Sequence, residues 1–132
     1  MNEPTNDYLL LFRGEDWDQG LAPNELQVVL DKVMAWFDGL HKQGKVKGGQ
    51  PLARSGRHVA GKGRVIADGP FAESKEAVGG YLVVKARDID EATEVAQSCP
   101  TLDYGITIEV RPLLEECPCF KRARGRLLFA NA

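Results

Sequence analysis

The sequence predicts an α+β fold, and three observations carry that expectation. Two stretches, 23–40 and 89–99, repeat apolar residues at helical spacing, and runs of β-branched and aromatic residues lie on either side of them. The elements follow the order β-α-β-(hairpin)-β-α-β, the pattern of a split βαβ, ferredoxin-like sandwich with extra short strands between its halves. At 132 residues, 43% of them hydrophobic and 27% charged, the chain reads as one soluble domain able to bury a core without metal or disulfide staples.

Tyr8-Leu9-Leu10-Leu11-Phe12 is a continuous apolar run of strand length, suited to a central position in the sheet. A loop follows, in which Trp17 stands among carboxylates, either folded back on the core or lying over a pocket as a lid. Pro23 opens the first helix at the position where its missing N–H costs nothing. Leu26, Val29, Leu30, Val33, Trp36, Phe37 and Leu40 form its apolar face. His41 in the last turn suits the negative helix end and reads as a surface histidine in preference to a catalytic one.

Val46 to Gln50 is a short strand, and its paired Gly48 and Gly49 predict a bulge or a close approach by another backbone or a ligand. A hairpin follows, with arms Arg57-His58-Val59-Ala60 and Arg64-Val65-Ile66-Ala67 about a turn at Gly61-Lys62-Gly63. Tyr81 to Ala86 is a further apolar strand. Asp88 and Glu91 have the spacing of a capping box for the second helix, whose inner face reads Ile89, Ala92, Val95, Ala96 and Cys99, with Pro100 as its stop. Ile106, Ile108 and Val110 alternate with polar residues in the last strand, which Pro112 ends.

Two helices cover only one face of such a sheet. The other face needs a partner, and the simplest is a second copy related by a two-fold axis, so a homodimer is expected. No apolar run approaches the roughly 20 residues needed to span a bilayer. The polar, acidic start of the chain lacks the features of a leader, so a cytoplasmic location is the expectation. Three cysteines without framework spacing argue against a disulfide scaffold.

The net charge of −2 is unevenly spread. From His41 to Arg64 there is no Asp or Glu, while Lys42, Lys45, Lys47, Arg54, Arg57, Lys62 and Arg64 fall in that span. The segment reads as a solvated basic surface or, alternatively, as an attractor of a small anion; nucleic acid is a distant third choice.

Between the hairpin and the strand at Tyr81 lies Asp68-Gly69-Pro70-Phe71-Ala72-Glu73-Ser74-Lys75-Glu76, followed by Gly79-Gly80-Tyr81. With the helix opened by Asp88 and the closing Ile108-Glu109-Val110-Arg111-Pro112, this motif resembles the DGPF-domain branch of the YCII-related proteins, over about Tyr8 to Pro112. The resemblance implies a dimeric α+β barrel. It also implies a setting often shared with genes for extracytoplasmic-function sigma factors. Other YCII-related proteins have been proposed to pair a histidine early in the first helix with an acidic residue. Here that helix begins Pro23-Asn24-Glu25-Leu26-Gln27, without a histidine, so only the acid, Asp68, corresponds.

Asp68 can serve as a turn cap or as an acid/base group. On the second reading the candidate catalytic residues are Asp68, His58 and Lys75, with Arg57, Arg64, Glu76 and Tyr81 as candidate substrate-binding residues. The function expected is a cofactor-free acid/base enzyme, of lyase or isomerase type, acting on a small anionic molecule. It requires a closed pocket containing Asp68. The alternative is a non-catalytic ligand-sensing or protein-interaction module. No metal and no cofactor are expected, because neither a phosphate-loop pattern nor a metal-ligand spacing is present.

Residues 1–112 are expected to form the domain and 113–132 a C-terminal extension. In that extension Cys117-Pro118-Cys119 reads as free, oxidation-prone surface thiols, a weak metal motif at best. The basic stretch Lys121 to Arg126 ends in Leu127, Leu128 and Phe129, an apolar triplet suited to packing on the body or on a dimer partner.

Overall fold

The computed structural model describes residues 5–14, 16–69 and 77–130, the last five by backbone alone. Its elements are β1 (Asn6–Arg13), α1 (Pro23–Lys42), β2 (Val46–Pro51), β3 (Gly56–Ala60), β4 (Val65–Gly69), β5 (Val78–Ala86), α2 (Ile89–Gln97), a 3-10 turn at Pro100–Tyr104, β6 (Thr107–Pro112) and α3 (Pro118–Ala130). Strands β2-β5-β1-β6 form one antiparallel sheet in that order, and β3 and β4 form a separate two-stranded sheet. The fold is α+β, with the ferredoxin-like strand order that the sequence predicts.

Register divides the main sheet into two unlike faces. Leu10 faces Leu82 on one side and Val110 on the other, while Tyr8 faces Val84 and Phe12 faces Ile108. Because side chains alternate along a strand, these residues share one face. That face carries the core: Tyr8, Leu10, Leu82, Val84 and Ala86 pack with Leu40 of α1 and with Ala92, Val95 and Ala96 of α2. Leu10 and Val84 are wholly inaccessible to water. The opposite face presents Leu9, Leu11, Tyr81 and Val83 side by side, all half-buried and outside the helix-packed core cluster.

Asp88 caps α2 by accepting a 2.9 Å bond from the Glu91 N–H. The reciprocal half of the box is displaced by one residue, since the Glu91 carboxylate accepts from the Arg87 N–H. Ile89, expected on the inner face, is 46% exposed; it is the first helical residue, and the buried stripe starts at Ala92, one turn later. Pro100 does more than stop the helix, because it opens the 3-10 turn that carries the chain to β6.

The glycine pair of β2 behaves as its composition suggests. The β2–β5 register shifts between Val46 and Gly48, and a Cβ at Gly49 would come within 2.5 Å of the Tyr81 carbonyl oxygen and 2.9 Å of Leu82 Cα. Only a residue without a side chain lets the two backbones approach this closely. Gly49→Ala is expected to destabilise the fold by about 1–3 kcal/mol through this backbone clash. Gly48→Ala, with nothing within 4 Å of the new methyl, should stay within about 0.5 kcal/mol of the parent; urea unfolding of the two variants compares them directly.

On the open face Arg13 of β1 donates to Glu109 of β6 at 3.1 Å, and Arg111 donates to the other carboxylate oxygen at 3.1 Å. The Arg111 guanidinium first, and Arg13 next, hold Glu109 below its ordinary value of 4.5. A carboxylate depressed in the folded state adds stability that is present above its unfolded pKa and is lost as pH falls through the folded one. The urea midpoint of the parent should therefore decline as pH drops below about 4.5, and Glu109→Gln should lack that part of the decline.

Candidate functional site

A cavity of about 490 Å³ lies between α1 and the covered face of the sheet. Its roof is Val33, Trp36, Phe37 and His41, one turn after another along α1. Its floor is Phe12 of β1 with Gly80 and Leu82 of β5. Gly48 to Pro51 form one wall, and Trp17, Thr101 and Ile106 close the far end. His41 and the wall residues are exposed and mark the mouth.

Aromatic contacts hold this lining in place. Phe12 and Trp36 meet edge to face with centroids 6.4 Å apart, Trp36 and Phe37 lie 5.1 Å apart, and Trp17 leans on Tyr104 at 6.1 Å. Trp36 Nε1 donates to Ser98 Oγ at 2.7 Å, and that hydroxyl in turn donates to the Val95 carbonyl at 2.6 Å. The chain of bonds ties the indole to the end of α2 and fixes its plane against the cavity. Buried Cys99 and Thr101 are satisfied by each other, with Sγ and Oγ1 3.1 Å apart. The polar lining is thus sparse: His41, Gln50, Thr101, Cys99 and backbone groups.

The residues singled out from sequence fall elsewhere. Arg57 of β3 stands opposite Asp68 of β4, and their charged groups meet at 3.7 Å. Asp68 is 95% exposed at its side chain, so within one chain it lies in a shallow surface recess formed with Ser55, Gly56 and Arg57, outside the cavity. It is part of strand β4, and the turn it is expected to cap lies outside the described residues. His58 faces Ala67, and alternation sets it on the other face of the hairpin from Asp68. Arg64, expected in the second arm, occupies the turn with φ of 55°, and its guanidinium donates to the Gly61 and Lys62 carbonyls. Tyr81 borders the cavity, but its register opposite Leu11 puts the ring on the open face of the sheet. Lys75 and Glu76 lie outside the described residues.

Lys47, Arg54 and Arg57 of the basic segment are engaged in ion pairs. Lys47 bonds Asp7 at 2.7 Å and Arg54 bonds Asp16 at 2.8 Å, besides the Arg57–Asp68 pair. The acids come from distant parts of the chain, which is why local composition alone reads as an uncompensated patch. None of these cations lines the cavity. Among the described residues no group of three or more His, Cys, Asp or Glu side chains is placed to hold a metal ion, and no helix is long and apolar enough to cross a membrane.

Sequence reasoning passed over the cavity because its lining is ordinary apolar composition. Trp36 and Phe37 read as helix core, His41 as surface. The available signal was the clustering of bulky aromatics, Trp36 and Phe37, on one turn of α1.

The fold and the cavity define a small α+β domain with an apolar, aromatic-walled compartment between helix and sheet. The chain belongs to the YCII-related family, whose domain profile matches residues 8–116. An uncharacterised protein, R00369, of Rhizobium meliloti (strain 1021) is 38% identical over 58 residues, spanning 43% of this chain and 46% of that protein. The match thus spans about half the length of that curated relative. The solved structure of 5-chloro-2-hydroxyhydroquinone dehydrochlorinase from Burkholderia phenoliruptrix AC1100, in complex with 2,5-dihydroxybenzoquinone, is similar at 18% identity. The alignment covers 83% of this chain and 95% of that one, with a TM-score of 0.46.

Proposed function

We propose that this YCII-related protein binds a small, flat, mainly apolar molecule in the cavity beneath α1. The observation that carries the reading is the cavity itself: about 490 Å³, walled by Phe12, Trp17, Trp36 and Phe37, with a few polar groups near the mouth and far end. Pockets of this size and composition suit small organic ligands, the apolar walls supplying affinity and the sparse polar groups orientation. Among the described lining residues there is no lysine or arginine, which favours a neutral occupant, or one whose charge stays at the mouth beside His41. The chain has two tryptophans and both line the cavity, so intrinsic fluorescence reports occupancy without background. Titration with small aromatic probes, benzyl alcohol and benzoate among them, should give a saturable emission change. Val33→Phe, which fills the roof, should weaken the best probe about tenfold or more, or ~1.4 kcal/mol, with the circular dichroism unchanged. Equal response in parent and filled variant would sink the assignment.

A second reading, a cofactor-free acid/base enzyme of lyase or isomerase type, is favoured by the hairpin. Among the described residues strands β3 and β4 pair only with each other, and Val59, Val65 and Ile66 are each more than 60% exposed on them. A two-stranded hairpin is marginal by itself in water. In a homodimer built on the open sheet face, this arm would lie on the second copy and enclose Asp68, His58 and their neighbours, completing a site that one chain leaves open. A small anionic substrate belongs to this reading, with Arg57 beside Asp68 as its counter-charge. It predicts a dimer in light scattering and, with the bound ligand in deuterated water, Asp68-dependent exchange of a carbon-bound proton seen by NMR. A compact monomer, or undiminished exchange in Asp68→Asn, removes it.

A further inference from the structure

Just past the family match, the chain places two thiols together. Cys117 and Cys119 are both exposed, and their Sγ atoms are 2.7 Å apart at the start of α3. Two contacts hold them there. Arg124, in the body of α3, pairs with both carboxylate oxygens of Glu116, the residue before the first thiol, one of these bonds being 2.7 Å. The Phe120 N–H donates to the Cys117 carbonyl at 3.0 Å, closing the first turn around Pro118. The segment is thereby clamped on both sides of the pair. Neither the cavity nor the hairpin uses these residues.

We propose that Cys117 and Cys119 form a reversible thiol–disulfide pair that reacts with hydroperoxides. Closing the 2.7 Å separation to an S–S bond of about 2.05 Å requires a shift of only about 0.65 Å. Cys117 is the attacking thiol: its neighbour Cys119 hydrogen-bonds to it and lowers its pKa below the ordinary thiol value, which raises the fraction present as thiolate. In the first step the Cys117 sulfur attacks one peroxide oxygen. An S–O bond forms, the O–O bond breaks, and the leaving oxygen departs as water or alcohol after taking a proton, leaving a sulfenic acid. In the second step the Cys119 sulfur attacks that sulfenic sulfur. The S–S bond forms, the S–O bond breaks, and water leaves. Two electrons and two protons pass from the dithiol to the peroxide, and a small dithiol reverses the change by exchange. Cys99, 5% exposed and bonded to Thr101, is shielded from the same attack.

The test is intact-mass and peptide mass spectrometry of the full chain after brief treatment with stoichiometric hydrogen peroxide. The expected result is a loss of about 2 Da per chain, confined to the peptide holding Cys117 and Cys119 and reversed by dithiothreitol. Cys119→Ser should lose the 2 Da change and instead trap a dimedone adduct on Cys117. Cys117→Ser should give neither. Both positions are on the surface, so circular dichroism of the variants should match the parent. Unchanged mass, a disulfide between chains, or direct addition of two or three oxygens to either sulfur in the parent would each overturn the proposal.

Discussion

Everything in this fold depends on the register of β1. The strand is hydrogen-bonded on both sides, to β5 and to β6, and Leu10 at its centre has no exposed surface. A shift of one residue would turn Tyr8, Leu10 and Phe12 away from the helices and bring Leu9, Leu11 and Arg13 toward them. The alternation thus decides which side carries the core, and hence where the cavity lies. It also leaves Leu9, Leu11, Tyr81 and Val83 as an apolar strip crossed by the Arg13–Glu109 pair. The hydrophobic core and the half-buried apolar strip behind it are two results of one pleat.

The cavity is a consequence of unequal layers. Large aromatics on α1 hold the helix away from the sheet, while Gly49 and Gly80 let the backbones of β2 and β5 draw close along the edge. Protein interiors normally fill such space at crystal-like density. Here the aromatic contacts and the Trp36–Ser98 bond brace the walls, so the space persists without collapse. A volume kept open by rigid side chains is the physical basis for reading the compartment as a binding site.

Charge behaves differently from its appearance in the sequence. The acid-free run from His41 to Arg64 reads as a positive field, yet Asp7, Asp16 and Asp68 are brought to Lys47, Arg54 and Arg57 by tertiary and hairpin contacts. These pairs are solvent-exposed and add little to stability; their effect is to blunt the patch. Among the described residues, the strands of the exposed hairpin that carries Arg57, His58 and Asp68 pair with each other. Val59, Val65 and Ile66 stand exposed on them.

The chain's local pattern determined the elements and their order. Pro23 opens α1, Asp88 caps α2, Gly49 marks the close backbone approach, and the period-two and period-3.6 runs separate strands from helices, because each is set by sterics and hydrogen bonding within a few residues. The family was legible too, from the motif beginning at Asp68. The tertiary structure alone decided the site. Whether Asp68 is enclosed, whether Tyr81 points into the cavity, whether Trp36 is core or wall, and which acid neutralises which base all depend on separations between residues far apart in the chain. Sequence periodicity records which face a side chain occupies; it carries no measure of the distance between one layer and the next, and that distance is what makes a cavity.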